Sequence, residues 1–237
     1  SIQIQNDFTF SIWFKPRAEG LGILFGSLDD PDDFSGSVFL SINGCPKDMA
    51  SEANKICFEI YDKNDENDFL SLSANVFTSN GVTLKDGNWH LLTATRETDE
   101  QNQSTVTLYL DGHSYTEYNG ARGTVPVPNR QHVFVGKNIY EDPSHATYFG
   151  EVDELAIYRR GLGSDEITSI FNDERQTDLR YTIGDYVPQS DLKTYLKMNF
   201  DPEDQTQDIL TYTKVQNQSW TVQFTGPVTS YQEVEQS

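Results

Sequence analysis

Between Phe8 and Lys15 the apolar residues Phe8, Phe10, Ile12 and Phe14 alternate with Thr9, Ser11, Trp13 and Lys15. A side-chain period of two belongs to a strand buried on one face, whereas the apolar stripe of a helix repeats every three to four residues. Pro16 closes the run. Further strand-like runs cover 23–25, 38–42, 56–61, 69–72, 89–96, 105–110, 133–135 and 152–158. Asn43-Gly44, Asn80-Gly81, Asp86-Gly87, Asp111-Gly112 and Asn119-Gly120 separate several of them, and such pairs accept the positive φ that tight turns need. Many short strands with frequent turns predict an all-β fold, a two-sheet antiparallel jelly-roll sandwich. The 14 Phe and 12 Tyr of the 237-residue chain favour strands as well.

One helix is expected, from 164 to about 174. Ser164 is its candidate N-cap, Asp165 and Glu166 complement the helix dipole, and Ile167, Ile170 and Phe171 share a face that packs on the sandwich as a lid. After Arg175 the chain becomes more polar, with Gly184 and Pro188 as breakers. The expected organisation is a main domain over 1–175 and an ordered β-rich extension over 176–237. That extension either begins a following repeat or completes the sandwich, with strand-like pieces at 194–200, 209–212 and 220–224.

Thirty-seven acidic residues against 17 basic ones give a formal charge of -20, which repels phosphate backbones and excludes nucleic acid as a partner class. No stretch approaches the roughly 18 apolar residues that span a bilayer, so no membrane insertion is expected. Residue 1 opens into a strand pattern without a charged leader; the expectation is a soluble chain whose signal or anchor has been removed. Cys45 and Cys57, the only cysteines, are close enough for one disulfide around a local loop, with two buried thiols as the alternative. A disulfide would indicate an oxidising compartment. Asn102 and Asn217 head glycosylation sequons, in keeping with a secreted or cell-surface protein.

Three segments, in order, carry a family resemblance: Asp7-Phe-Thr-Phe-Ser-Ile-Trp-Phe-Lys15; Gly87-Asn-Trp-His-Leu-Leu-Thr-Ala-Thr-Arg96 leading to Thr107-Leu-Tyr-Leu-Asp-Gly112; and Phe149-Gly-Glu-Val-Asp-Glu-Leu-Ala-Ile-Tyr158 before Gly161-Leu-Gly-Ser-Asp-Glu-Ile167. Over roughly 1–175 the chain resembles the laminin G-like, concanavalin A-like jelly-roll domains, the branch that includes pentraxins. The resemblance implies two antiparallel sheets, Trp89 packed inside, and a hairpin turn at Asp111-Gly112. It also implies a non-catalytic extracellular module that binds a glycan or another protein. Residues 195–202 more weakly resemble the opening strand of such domains, so neighbouring repeats of one assembly are a second class of partner. A structural module of a filament and an ancillary domain of a glycan-active enzyme are the alternative readings.

Glycosidases share this sandwich, and one class carries three carboxylates alternating along a strand. Glu151 and Asp153 would share a face, but the third position is Leu155, or Ala156 after a bulge. Retaining hydrolysis needs two carboxyl groups about 5 Å apart, so the catalytic pattern is absent. Asp153 is expected to point inward with Leu155 and Ile157, where a carboxylate needs a partner. In domains of this type the corresponding acid helps hold a structural calcium; the alternative is that Asp153 caps backbone N–H groups or pairs with Arg159 or Arg160. The acidic stretches 29–33 and 62–68 do not fit an EF-hand, and read as solvated loops or weak cation sites. His90, His113, His132 and His145 lack metal-ligand spacing. Sugar recognition would use aromatic faces with amides and carboxylates beside them. The loop 137–149 offers Asn138, Tyr140, Glu141, Asp142, His145 and Tyr148, and the loop 115–122 adds Tyr118 and Asn119.

Overall fold

The computed structural model of the chain describes residues 7–27, 34–48, 51–62, 67, 69–76, 83–101, 103–120, 132–136, 148–172, 178–188, 191–197, 211–212 and 221–224. The strands are β1 (Phe8–Pro16), β2 (Gly22–Ser27), β3 (Val38–Ile42), β4 (Lys55–Tyr61), β5 (Phe69–Asn75), β6 (His90–Thr98), β7 (Ser104–Leu110), β8 (His113–Gly120), β9 (His132–Val135), β10 (Gly150–Tyr158), β11 (Leu192–Lys197), β12 (Thr211–Tyr212) and β13 (Thr221–Phe224). Among the described residues one α-helix, α1 (Ser164–Asn172), follows β10. Two sheets form, ordered β12-β11-β10-β1-β6-β7-β8 and β13-β9-β2-β3-β4-β5. β11 pairs with β10 antiparallel, matching Leu196 to Leu155 and Tyr195 to Ala156.

The even-numbered residues of β1 face the second sheet. Phe10 meets Phe25 with ring centroids 5.0 Å apart, and Phe8 meets Phe58 at 5.7 Å. Each such ring removed from water contributes about 2 kcal/mol, and Ile12, Phe14, Leu40, Leu92, Leu108, Leu155 and Ile157 continue this core. Arg96 also points inward, its guanidinium carbon 4.8 Å from the Phe8 ring centroid. Burial drives its pKa down to about 10, against the pull of the Asp7 charge.

The half-buried β1 of the sequence pattern is buried on both faces: Thr9, Ser11 and Trp13 are covered too. The cover is α1 and the segment 178–188, whose Ile167, Ile170, Leu179 and Tyr186 pack with Trp13, Ala156, Tyr158 and Tyr195 in a second cluster. The lid role expected of the helix therefore holds, and Phe171 stacks on Trp13 at 5.8 Å. The helix begins at Ser164 itself, so the cap falls one residue earlier than expected: the Glu166 carboxylate accepts from Gly163 N–H at 3.1 Å, and Gly163 holds the N-cap place. Trp89 lies half-buried against this outer cluster rather than between the sheets, since it falls in phase with Leu91 on the outward side of β6.

The hairpin at Asp111-Gly112 has φ of 53° and 78°, both positive, as a type I′ turn requires. The following residues, expected as a loop from 115 to 122, instead form β8 as far as Gly120 and pair with β7 along its length. His90 anchors the turn. Its Nδ1 is 2.8 Å from Asp111, its Nε2 is 3.2 Å from Asp86, and Leu91 N–H donates to Asp111 at 2.9 Å. Burial alone would lower the His90 pKa; the Asp111 and Asp86 carboxylates outweigh it and raise the pKa.

The outward side of the second sheet carries a third cluster, Leu21, Ile23, Phe39 and Tyr61. Beside it the Cys45–Cys57 disulfide forms as expected, fastening a loop onto β4. Glu59, fully buried on this face, accepts from Lys47 N–H at 3.1 Å, Ser71 Oγ at 3.2 Å and Tyr61 OH at 3.3 Å. Burial dominates these bonds, and its pKa is pushed up to about 7.

Candidate functional site: an outward polar grid on the first sheet

Across β6, β7 and β8 the inward positions carry Leu92, Ala94, Val106, Leu108 and Leu110, with the polar His90, Arg96, Thr98, Ser104 and Thr116 in phase with them, and the alternate positions form a separate outward face. Cross-strand pairing sets that face in rows: Glu97, Thr105 and Asn119; then Thr95, Thr107 and Glu117; then Thr93 beside Tyr109. Directly opposed residues share a face at close range, so the pairing yields a grid of hydroxyls, carboxylates and one amide. Thr93, Thr95, Thr107 and Tyr109 form a buried floor, while Glu97, Glu117 and Asn119 are exposed around it. Thr105 Oγ1 donates to Asn119 Oδ1 at 2.6 Å, and Asn119 Nδ2 donates to Glu117 Oε1 at 2.6 Å. Tyr109 shares this outward face with Thr107 and Thr95. Its pKa is raised, first by burial and then by the charges of Glu97 and Glu117. Gly161, in the β10–α1 connection, lies against the Glu97 side chain, where a Cβ would collide with it. Thr9 holds this connection in place: its Oγ1 donates to Arg160 O and accepts from Leu162 N–H, both at 2.8 Å.

Such a surface offers acceptors and donors at strand spacing, beside a Tyr109 ring that packs into the outer cluster, which suits a polyhydroxylated ligand. Only Asn119 among its exposed groups stands out in the sequence as a sugar contact. The signal for the rest lies in period-two runs, Thr93-x-Thr95-x-Glu97 and Thr105-x-Thr107-x-Tyr109, whose second face is hydroxylic.

The other expected site residues are distributed differently. Tyr118 points inward and is half-buried against the main core. Tyr148 also belongs to that core, and its hydroxyl donates to Glu151 O at 2.9 Å. Its ring occupies the space left by Gly22, where a Cβ would stand 2.9 Å from Cδ2, and by Gly150, where a Cβ would overlap the hydroxyl. Among the described residues of this segment the exposed aromatic is Phe149, 60% accessible, next to the Arg17–Glu151 ion pair. Asn138, Tyr140, Glu141, Asp142 and His145 lie outside the described residues, as do Asn102 and Asn217.

Asp153 does not share the inward face of Leu155 and Ile157. A β-bulge, with Glu154 at φ 50°, inserts one residue between them, and Asp153 pairs with Trp13 on the outward side. Its Oδ1 accepts from Glu154 N–H at 3.0 Å, and the Glu154 carboxylate accepts from Tyr195 OH. Calcium prefers six to eight oxygens, and the side chains here supply two carboxylates, one of them engaged by Tyr195. Backbone carbonyls would have to complete a shell. Among the described residues the one group of three metal-ligating side chains is Cys45, Cys57 and Glu59. The bulge also fixes which residue takes the third position of the alternating-carboxylate pattern. Glu151, Asp153 and Ala156 share the outward face, since they pair with Lys15, Trp13 and Ser11. The place of a third carboxylate is thus taken by Ala156, buried beneath the helical cover.

Comparison with known proteins agrees with this architecture. No curated protein matches the chain in sequence. A solved structure from Bacteroides ovatus, assigned to carbohydrate binding, shares the fold at TM-score 0.54 and 11% identity, over 84% of this chain and 46% of that one. This chain thus spans about half the length of that structure. The carbohydrate-binding module of the Ruminococcus gnavus IT-sialidase, solved with α2,3-sialyllactose, is similar at TM-score 0.46 and 16% identity, over 69% and 82% of the two chains. The binding domain of botulinum neurotoxin serotype G is similar at TM-score 0.48 and 14% identity, over 73% and 37%. The profile of one family, Laminin_G_3, matches residues 1–168, and by that match the chain belongs to the concanavalin A-like lectin/glucanase superfamily.

Proposed function

We propose that this chain is a non-catalytic, extracellular glycan-binding module and that the outward face of β6, β7 and β8 holds the sugar. The carrying observation is the grid of Glu97, Thr105, Thr107, Tyr109, Glu117 and Asn119, whose buried hydroxyl floor and exposed rim present both donors and acceptors. Carboxylates accept from sugar hydroxyls, and the Asn119 amide and the hydroxyls can donate in return. With Glu97 and Glu117 on the rim of a chain of charge -20, the preferred ligand is a neutral oligosaccharide; a sialylated or uronic one would be repelled. The Cys45–Cys57 disulfide supports an oxidising compartment. No helix among the described residues is long and apolar enough to cross a membrane. Ala156 at the third carboxylate position supports binding without hydrolysis.

A glycan array spanning neutral and acidic sugars tests the reading, followed by titration of the best ligand against Glu117→Gln and Asn119→Ala. Neutral glycans are expected to bind, with each substitution weakening binding about tenfold at an unchanged melting midpoint. Absence of any bound sugar would sink the proposal. Calcium at Asp153 is a separate expectation of the family resemblance. A ligand specific to the native state raises the melting midpoint, so a midpoint indifferent to chelator removes calcium from the account.

A further inference from the structure

On the second sheet, away from the polar grid, β4 places Cys57 and Glu59 two residues apart and therefore on one face, and the Cys45 loop folds over both. The two sulfur atoms and a Glu59 carboxylate oxygen all lie within 4.8 Å of one another, and all three residues are buried. Three donors orient that carboxylate: Lys47 N–H, Ser71 Oγ and Tyr61 OH. Ser71 Oγ also lies 3.8 Å from Cys57 Sγ, so one side chain touches both the carboxylate and the sulfur. The Lys47 ammonium sits over the Phe69 ring, 3.2 Å from its centroid. Hydrogen bonds from surrounding groups that fix a ligand's orientation are what tuned metal sites use.

We propose that Cys45, Cys57 and Glu59 form a redox-gated site for a thiophilic divalent cation, closed while the disulfide stands and opened by its reduction. A dithiol gives up two electrons with its own two thiol protons and becomes a cyclic disulfide, or a phosphine gives up two electrons and takes the oxygen of a water whose two protons go to the sulfurs, becoming a phosphine oxide; either way the S–S bond becomes two thiols. The cation then displaces the thiol protons and is held by two thiolates and one carboxylate oxygen, with water as the fourth ligand of a tetrahedral zinc-type shell. Coordination thereby takes over the disulfide's task of holding the Cys45 loop on β4. In an oxidising compartment the gate stays shut, and the cluster acts as a plain staple.

The test uses the full chain after phosphine reduction, titrated with CdCl2 and ZnCl2 and compared with the oxidised protein, Glu59→Gln and the Cys45→Ser/Cys57→Ser double variant. Cadmium should add thiolate-to-metal absorbance in the ultraviolet. Both metals should raise the melting midpoint of the reduced protein, because they bind its native state. Glu59→Gln should lose about tenfold or more in affinity, and the oxidised and double-serine proteins should show neither response. Three results overturn the proposal: no absorbance band in the reduced protein, equal affinity in Glu59→Gln, or a midpoint that falls with metal because the unfolded dithiol is the binder.

Discussion

The two sheets bury their outward faces by different means. Over the first sheet lie a helix and a strap from distant parts of the sequence, fixed by large rings: Trp13 under Phe171, and Tyr158 donating to Tyr186, which donates to Leu179 O at 2.8 Å. Over the second lies a short local loop whose 3-10 turn buries only Pro46, and here a disulfide and a carboxylate do the fastening. A cover with enough apolar area holds itself by burial, while a small loop cannot bury enough to offset its ordering entropy and needs a covalent link.

The sharpest way to break this contrast is to empty the first cover. Tyr186 is fully buried, so Tyr186→Ala should cost about 3–5 kcal/mol in urea unfolding. A loss below about 1 kcal/mol would mean that the strap is not part of the cooperative unit. Next, the Cys45→Ser/Cys57→Ser pair, which opens a loop of sequence separation 12, should lose about 2–3 kcal/mol. A smaller loss would show that Glu59 alone holds the loop.

Glu59 itself is tested by pH. Its folded pKa is raised from 4.5 to about 7, so the native state holds a proton that the unfolded chain has released. Stability is therefore greatest below about pH 4.5 and declines as pH rises to about 7, by on the order of 2–3 kcal/mol. Chemical denaturation of Glu59→Gln across pH 4–8 should lack this decline, and an unchanged slope would refute the assignment. His90 gives the smallest effect. Its raised pKa contributes stability below the unfolded value that is lost as pH climbs through the folded one. Because the Asp86–His90–Asp111 group is partly solvated, His90→Gln should remove on the order of 1 kcal/mol at pH 6 and less at pH 9.

Much of this fold is legible in the sequence, because period-two patterning and Asp-Gly or Asn-Gly turns are local signals. The eight strand-like runs after β1 all appear as strands, as does the disulfide. What local signals cannot show is cover from elsewhere. Thr9 and Trp13 read as a solvent face, yet residues more than 150 positions away bury it. The bulge at Glu154 is similarly silent, since one extra residue reverses every later facing without changing composition. The polar grid is not legible in the sequence, because Thr and Glu on an outward face look like ordinary surface until the register of three strands places them together. β8 was hidden because its polar residues resemble a loop.

Tyr148 has a consequence beyond packing. Gly136, at the end of β9, stands so close that a Cβ there would lie 3.8 Å from the Tyr148 ring. The chain that leaves at 136 and returns at 148 therefore passes through a single doorway, whose hinge post is an aromatic ring wedged between Gly22 and Gly150. With both ends pinned together, the closure cost of a longer connection grows only slowly with its length. The sandwich itself thus holds the two ends of this connection together, through one aromatic ring and three glycines.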